Sequence, residues 1–216
     1  MLINLHTHRQ PEPGEKSIRS LYENFGEAAE PGYYSIGVHP CHISKPWLAQ
    51  FKEIKDHSSL SNVVAIGETG LDKICSTEWP LQQLSFTAHI QWAVFLKKPL
   101  IIHCVKAWDE VFVALTKEKV SVPVIFHGYS KNLQLAQQIT QKGYYLSFGK
   151  ALEQERLQQV LNAIPVHQFF LETDDAAIDI GTVYDYAAAA LSIDRISLDL
   201  QIQQNAKAVF GPSFIL

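Results

Sequence analysis

Met1-Leu2-Ile3-Asn4-Leu5-His6-Thr7-His8 opens the chain as a short apolar run that stops on two histidines. The same design recurs downstream. Residues 63–67 end in Glu68, 100–102 in His103, 122–126 in His127, and 168–171 in Glu172-Thr173-Asp174. Each run is shorter than an ordinary helix and rich in β-branched or aromatic residues, so each reads as a buried strand. One strand ending in a metal-ligand side chain is noise. Five such endings predict a parallel barrel, where strand ends converge on one mouth.

Working outward, strands are expected at 2–6, 33–38, 63–68, 99–104, 122–127, 144–149 and 168–172. Between them lie helical patterns. Trp47, Leu48, Phe51 and Ile54 recur at spacings of one to three over 46–56, and similar patterns run over 79–97, 106–118, 132–142 and 152–163. Helices near 182–191 and 195–210 close the chain, the last stopped by Gly211-Pro212. Strand-helix alternation predicts an α/β fold, a TIM-type (β/α) barrel. Residues 9–32, with Pro11, Pro13, Gly14, Pro31 and Gly32, read as a long loop whose one weak pattern, at 18–25, is helical. The count is therefore seven strands, with the second missing and the barrel distorted. No glycine-rich phosphate loop follows any strand, which counts against Rossmann and P-loop readings. A single domain over 1–216 is expected.

Composition narrows the function. Hydrophobic residues make up 47% of the chain and charged residues 19%, as in ordinary globular proteins. The net charge is −4, with no basic tract. A polyanionic partner would therefore need bound cations to supply the positive field. Cys41, Cys75 and Cys104 are an odd number at no metal-knuckle spacing, which fits a reduced, cytoplasmic protein. No basic-then-apolar leader and no membrane-length apolar run are seen.

His6 and His8, two apart on a strand, share a face with backbones roughly 6–7 Å apart. Both can reach one ion at about 2.1 Å. Short His-x-His pairs also arise by chance. Glu68 sits between Gly67 and Gly70, where the missing side chains let backbone crowd a site. Its plain alternative is a helix-start carboxylate or a core salt bridge. His103 and His127 end consecutive strand units. A lone strand-end histidine is more often a core residue, but the repetition reverses that reading. Asp174 completes the set, with Glu172 as a strand anchor on the same face and Asp175 as the decoy. Four imidazoles and two carboxylates suit zinc, manganese, cobalt or nickel better than calcium, and the lack of thiolates argues against a closed structural zinc. Six ligands exceed what one ion needs and fit two divalent ions bridged by a carboxylate. His57, His89 and His167 fall off the pattern as surface or helix residues, and His42 as loop. Tyr129 reads as a rim aromatic, with base stacking the alternative.

The blocks His6-Thr7-His8, Gly37-Val38-His39-Pro40, Ile66-Gly67-Glu68-Thr69-Gly70-Leu71-Asp72, Ile102-His103-Cys104, His127-Gly128 and Leu171-Glu172-Thr173-Asp174 occur in the order found in the TatD family of metal-dependent hydrolases. Phe86, His89 and Ala93 resemble that family's helix before the third of these histidine strands, and Asn205 with Phe210-Gly211 resembles its closing signature. The resemblance implies a TIM-like barrel of the amidohydrolase superfamily, a divalent-metal centre, and deoxyribonuclease activity. It further implies that His6, His8 and Asp174 bind one ion, that His103 and His127 bind another, that Glu68 bridges, and that His39 lies near a substrate phosphate. Asp174 and Glu68 are then the catalytic carboxylates. Lys106 stands where an arginine is common and can steady a phosphate as a point charge. The segment from His8 to Gly37 is short for the family, and Asp175-Ala176 replaces its usual Ala-Pro. The expected activity is metal-dependent phosphodiester hydrolysis by water activated between two ions (Zn, Mn, Mg, Co or Ni), with DNA or a small phosphoester as partner. Neither a membrane nor a protein partner is expected. Hydrolysis of a small amide or lactone, and a non-catalytic metal-binding role, are the alternatives.

Overall fold

The computed structural model describes residues 1–44 and 46–214, so Lys45 and residues 215–216 of the expected single domain lie outside it. Eight strands, in sheet order identical to chain order, alternate with helices, the (β/α) barrel class. They are β1 (Leu2–Thr7), β2 (Glu15–Leu21), β3 (Tyr33–Ile36), β4 (Val63–Asp72), β5 (Leu100–Val105), β6 (Val124–Phe126), β7 (Tyr145–Phe148) and β8 (Phe169–Leu171). The helices are α1 (Trp47–His57), α2 (Trp79–Leu96), α3 (Trp108–Lys117), α4 (Leu133–Gln141), α5 (Glu155–Asn162), α6 (Ile180–Leu191) and α7 (Arg195–Phe210). The contacts divide the chain into two compact units, one of Met1–Arg19 with Ile125–Leu216 and one of Ser20–Val124.

The eighth strand corrects the expected count of seven. β2 lies inside the stretch read as loop and weak helix, and its residues 15–19 pair in parallel with β1, Leu2 opposite Glu15 and Asn4 opposite Ser17. Its sequence, Glu-Lys-Ser-Ile-Arg-Ser-Leu, has only two apolar residues, so it carries no apolar run. Ser17 and Ser20 are nevertheless buried with Ile18 and Leu21. Tertiary pairing here overrides weak strand propensity.

In the first unit, β6 pairs with β7 and β7 with β8, all in parallel, and Thr7 of β1 bridges to Asp174 just beyond β8. Side chains fix this register. Asn4 donates to Thr173 Oγ1 (2.8 Å) and accepts the Thr173 N–H (3.0 Å), tying β1 to the end of β8. Tyr184 on α6 donates its hydroxyl to Ile3 O and accepts the Ile3 N–H, both at 3.1 Å. Burial raises the Tyr184 phenol, so it stays a donor. Asn205 on α7 donates to the carbonyls of Val166 and Phe169 at 2.9 Å, holding the entry to β8. Apart from the Asn4–Thr173 Oγ1 bond, each of these satisfies a backbone group.

In the second unit, β3 pairs with β4 and β4 with β5. Leu21, Phe25, Tyr34, Ile36, Val38, Phe51, Ile54 and Val63 form the core under α1. Lys98 is drawn into this unit and donates to the carbonyls of Ser58, Leu60 and Val63. Burial lowers its ammonium below the usual lysine range. Glycine is required at Gly67 (φ 139°) and Gly70 (φ 153°): a Cβ there would overlap the carbonyl oxygens of Ile101 and His103 respectively. These are the close approaches of β4 to β5, and Glu68 sits between them.

Candidate metal centre

Two groups of metal-ligand side chains emerge from this scaffold, one in each unit. In the first unit, β1 delivers His6 at its end and His8 just after it. His127 follows β6, and Asp174 follows β8 in a left-handed backbone conformation (φ 50°). The His6 and His8 Nε2 atoms each lie 3.6 Å from Asp174 Oδ1. The His6 and His127 rings have centroids 4.2 Å apart. Ligand atoms of His6, His127 and Asp174 lie within 4.8 Å of one another, and so do those of His8, Asp174 and Asp175. Two donors each about 2.1 Å from a tetrahedral ion are about 3.4 Å apart. The 3.6 Å separations are too long for good hydrogen bonds and suit ligands around a cation. The decoy Asp175 is exposed and stands at the edge of this group.

Glu172 anchors the group from behind. It is fully buried, accepts the Gly128 N–H at 2.6 Å, and places Oε1 3.6 Å from His127 Nδ1. Burial pushes its carboxyl upward, but His127, with a contribution from His6, outweighs that and holds it below the usual range. An ionised carboxylate on the Nδ1 side of the ring favours Nε2 of His127 as the ligand atom, the usual orientation of a metal-bound histidine.

In the second unit, Glu68 Oε1 lies 2.8 Å from His103 Nδ1 and 3.4 Å from His39 Nε2. His103 Nε2 faces Asp72 Oδ2 at 3.0 Å, so it carries the proton and Nδ1 is left as an acceptor. Glu68 Oε1 and His103 Nδ1 meet at hydrogen-bond distance, and His39 Nε2 lies 3.2 Å from the same His103 Nδ1, so the three groups are close enough to surround one cation. His39 differs. Its Nδ1 accepts the Cys41 N–H at 3.1 Å, so a neutral ring carries its proton on Nε2. That makes His39 a donor rather than a ligand, although it belongs to the same group by distance. Lys106 follows β5, exposed and in a left-handed conformation (φ 54°).

Several supporting residues stand at none of the expected strand endings. In the sequence, Asp72 is marked only as the last residue of the block around Glu68. It orients His103, and Gln82 clamps its backbone by accepting the Asp72 N–H (2.9 Å) and donating to its carbonyl (3.0 Å). Burial presses the Asp72 carboxyl upward, but His103 and the Ile74 N–H hold it below the usual range. His89, read as a surface or helix residue, is wholly buried on α2. Its Nδ1–H donates to Ser85 O (2.7 Å) and its Nε2 accepts the Val38 N–H (3.1 Å), fixing the backbone one residue before His39. His42 does approach the group, with its ring centroid 5.2 Å from that of His39. Tyr129 is buried, donates to Asn132 O and packs edge-on against Phe148, which favours the packing role. The signal for Asp72 was its place four residues after Glu68, an even spacing that returns it to the same strand face.

Cys41 and Cys75 are joined as a disulfide, against the expectation of a wholly reduced chain, and Cys104 lies outside it. No helix among the described residues is long and apolar enough to cross a membrane.

Residues 6–211 match the family model for TatD-related DNases. A curated metal-dependent hydrolase of Buchnera aphidicola, itself uncharacterised, is 31% identical over 73% of this chain and 62% of its own length. A 3′–5′ ssDNA/RNA exonuclease of Yersinia pseudotuberculosis is 33% identical over 74% of this chain and 65% of its own. The chain thus spans less than two thirds of either relative. Among solved structures, a TatD homologue of Escherichia coli K12 superposes with a TM-score of 0.84 at 22% identity, covering 97% of both chains. A TatD-family hydrolase of Entamoeba histolytica gives 0.82 at 14% identity, over 98% of each. These two share the fold. The family match, carried through the same histidine and carboxylate blocks that build the two groups, shows that this chain belongs to the TatD family of metal-dependent hydrolases.

Proposed function

We propose that the chain is a divalent-metal-dependent phosphodiesterase acting on nucleic acid, with single-stranded DNA as its best substrate. The observation that carries this reading is the donor set of the first unit: three imidazoles and the Asp174 carboxylate at ligand spacing, with an ionised carboxylate behind His127. Its nitrogen and oxygen donors fit zinc, manganese, magnesium, cobalt or nickel. We assign the divalent ions to His6, His8, Glu68, His103, His127 and Asp174; the grouping of His127 with His6 and Asp174 favours placing it on their ion, where the resemblance implied that it shares one with His103. A divalent ion held by these residues would supply Lewis acidity, lowering the pKa of water and offsetting charge on a phosphoryl oxygen. The chain's own groups do the rest. Asp174, partly exposed, is placed to accept a proton. His39 presents Nε2–H to a phosphate oxygen, and Lys106 offers a mobile positive charge. The relative named as an ssDNA/RNA exonuclease supports this substrate class. Action is assigned to the cytoplasm, without membrane or protein partner.

The net charge of −4 and the short segment from His8 to Gly37 favour a second reading, hydrolysis of a small phosphoester or amide by the same centre. Nucleotide release from single-stranded DNA with Mn²⁺ or Mg²⁺ decides between them. Asp174→Ala is expected to lower kcat/KM by about 10³-fold or more, a loss of about 4 kcal/mol of transition-state stabilisation. A metal-loaded wild type releasing no more nucleotide than this variant would remove DNA as substrate. Turnover of a small ester by that same preparation would establish the second reading.

A further inference from the structure

We propose that Cys41 and Cys75 are a reversible redox site whose disulfide pins the His39 turn against the segment that follows β4. The bond joins positions 34 residues apart. Cys41 lies in the short turn Pro40–His42, and Cys75 lies three residues beyond Asp72. Two neighbours of this bond, His39 and Asp72, belong to or support the second group of ligand-type side chains. The Cys41 N–H is the donor that sets the His39 tautomer (3.1 Å), and Cys41 Sγ is 3.8 Å from Asp72 Oδ2, the oxygen that His103 also uses. Noncovalent contacts also hold the turn, among them the Tyr22 ring 4.6 Å from that of His42. His42 N–H bonds within the turn to His39 O, and Gln50 on α1 accepts the Ser44 N–H and donates to His42 O.

Access to both sulfurs fits a reversible bond. Cys41 is exposed, and Cys75 borders a recess of about 300 Å³ lined by Asp72, Lys73, Thr77, Trp79 and Gln82. A dithiol reductant attacks Cys41 Sγ as its thiolate. The Cys41–Cys75 bond breaks, Cys75 leaves as a thiolate and takes a proton from water, and a mixed disulfide forms on Cys41. The second thiol of the reductant displaces Cys41. Overall the protein gains two electrons and two protons, and the reductant becomes a disulfide. The new Cys41 thiol has an S–H, and Asp72 Oδ2 stands within its reach. Reduction therefore releases the turn and also offers Asp72 a donor that competes with His103 Nε2–H. In the oxidised chain that sulfur has no proton to give, and the oxygen faces His103 Nε2 at 3.0 Å.

The consequence for catalysis rests on His39 as a substrate contact; the thiol chemistry does not. Full-length protein is prepared air-oxidised and, separately, reduced with dithiothreitol and desalted. Alkylation under denaturing conditions should find one reactive thiol per chain in the first and three in the second. Amide hydrogen exchange over residues 39–44 should quicken by about 10-fold or more on reduction. In the Mn²⁺-loaded enzyme KM for single-stranded DNA should rise about 3- to 10-fold with kcat less affected. Cys41→Ser and Cys75→Ser should behave as reduced wild type whatever the redox treatment, whereas Cys104→Ser should keep the full response. Three reactive thiols in the air-oxidised protein, or exchange rates over 39–44 that are the same in both states, overturns the proposal. A redox-dependent exchange rate in a protein that cleaves no DNA upholds the proposal and counts only against the nuclease reading.

Discussion

The two groups of ligand-type residues are built in opposite ways. In the first unit the side chains sit at or just past strand ends, and their order follows from register: Asn4 locks β1 to β8, and His6, His8 and Asp174 come with it. In the second unit Glu68 and His103 come from strands, but His39 comes from a turn held by His89, Gln50 and a disulfide. Strand-end geometry is fixed once the sheet forms. Turn geometry depends on supports elsewhere in the unit, each of which can be removed singly. The first group should thus tolerate changes around it, and the second should be the sensitive one to pH, redox state and remote substitution.

The largest test of that contrast after Asp174→Ala is acid. Burial pushes the His89 imidazole down to about 4 from 6.5. The unfolded chain takes up this proton near pH 6.5 and the folded chain only near 4. Between those values the unfolded state binds more protons, so stability falls as pH falls through the window. The loss attributable to His89 reaches about 3 kcal/mol at the acid end. Urea unfolding of metal-free protein at pH 7 and 4.5 measures it. His89→Gln should be less stable at pH 7 and show a shallower decline, and amide exchange near Val38 should quicken. Parallel pH curves for the two proteins would mean that His89 is not the group that titrates.

The contrast also explains what was legible beforehand. Seven strands and seven helices could be located because apolar runs and helical spacing record burial directly. β2 could not, since Ser17 and Ser20 are buried by pairing partners that no local pattern announces. Likewise the six expected ligands were visible as strand endings, and the structure brings His6, His8, His127 and Asp174 together in one unit and Glu68 with His103 in the other. Their supports were not visible. Asp72, Gln82 and His89 are ordinary residues until folding places them behind His103 and His39. The odd cysteine count pointed to a reduced chain, because spacing in sequence says nothing about two loops brought to a Cα separation of 5.2 Å.

Next in size are the two buried carboxylates. Glu172→Gln keeps an oxygen for the Gly128 N–H but removes the charge behind His127. Asp72→Asn does the same behind His103, while keeping an oxygen for the Ile74 N–H. Substitutions at such outer carboxylates commonly lower metal affinity by about 10- to 100-fold. Titration calorimetry with Mn²⁺ should resolve a weakened site in each variant. If the two groups are built as differently as they look, the Asp72 variant should also respond more strongly to reductant, because the Cys41 thiol faces the same oxygen. Equal redox sensitivity in both variants would remove that part of the contrast.

The smallest expected effect falls on Lys106. It is exposed, so its removal should leave stability within about 0.5 kcal/mol. Its left-handed backbone adds a small complication, since a glycine there relaxes the φ of 54° and an alanine does not. The fair comparison is therefore Lys106→Ala against Lys106→Arg. A point charge near a solvated phosphate contributes about 1 kcal/mol or less, so alanine should raise KM for single-stranded DNA about 3- to 5-fold and leave kcat nearly unchanged. Arginine should restore or improve binding through its two-pronged donors. The salt dependence separates charge from packing: the wild-type advantage should shrink as ionic strength rises. An advantage that persists undiminished at high salt would mean that Lys106 acts through the shape of the turn after β5, and the second unit would then hold two structurally set substrate contacts rather than one.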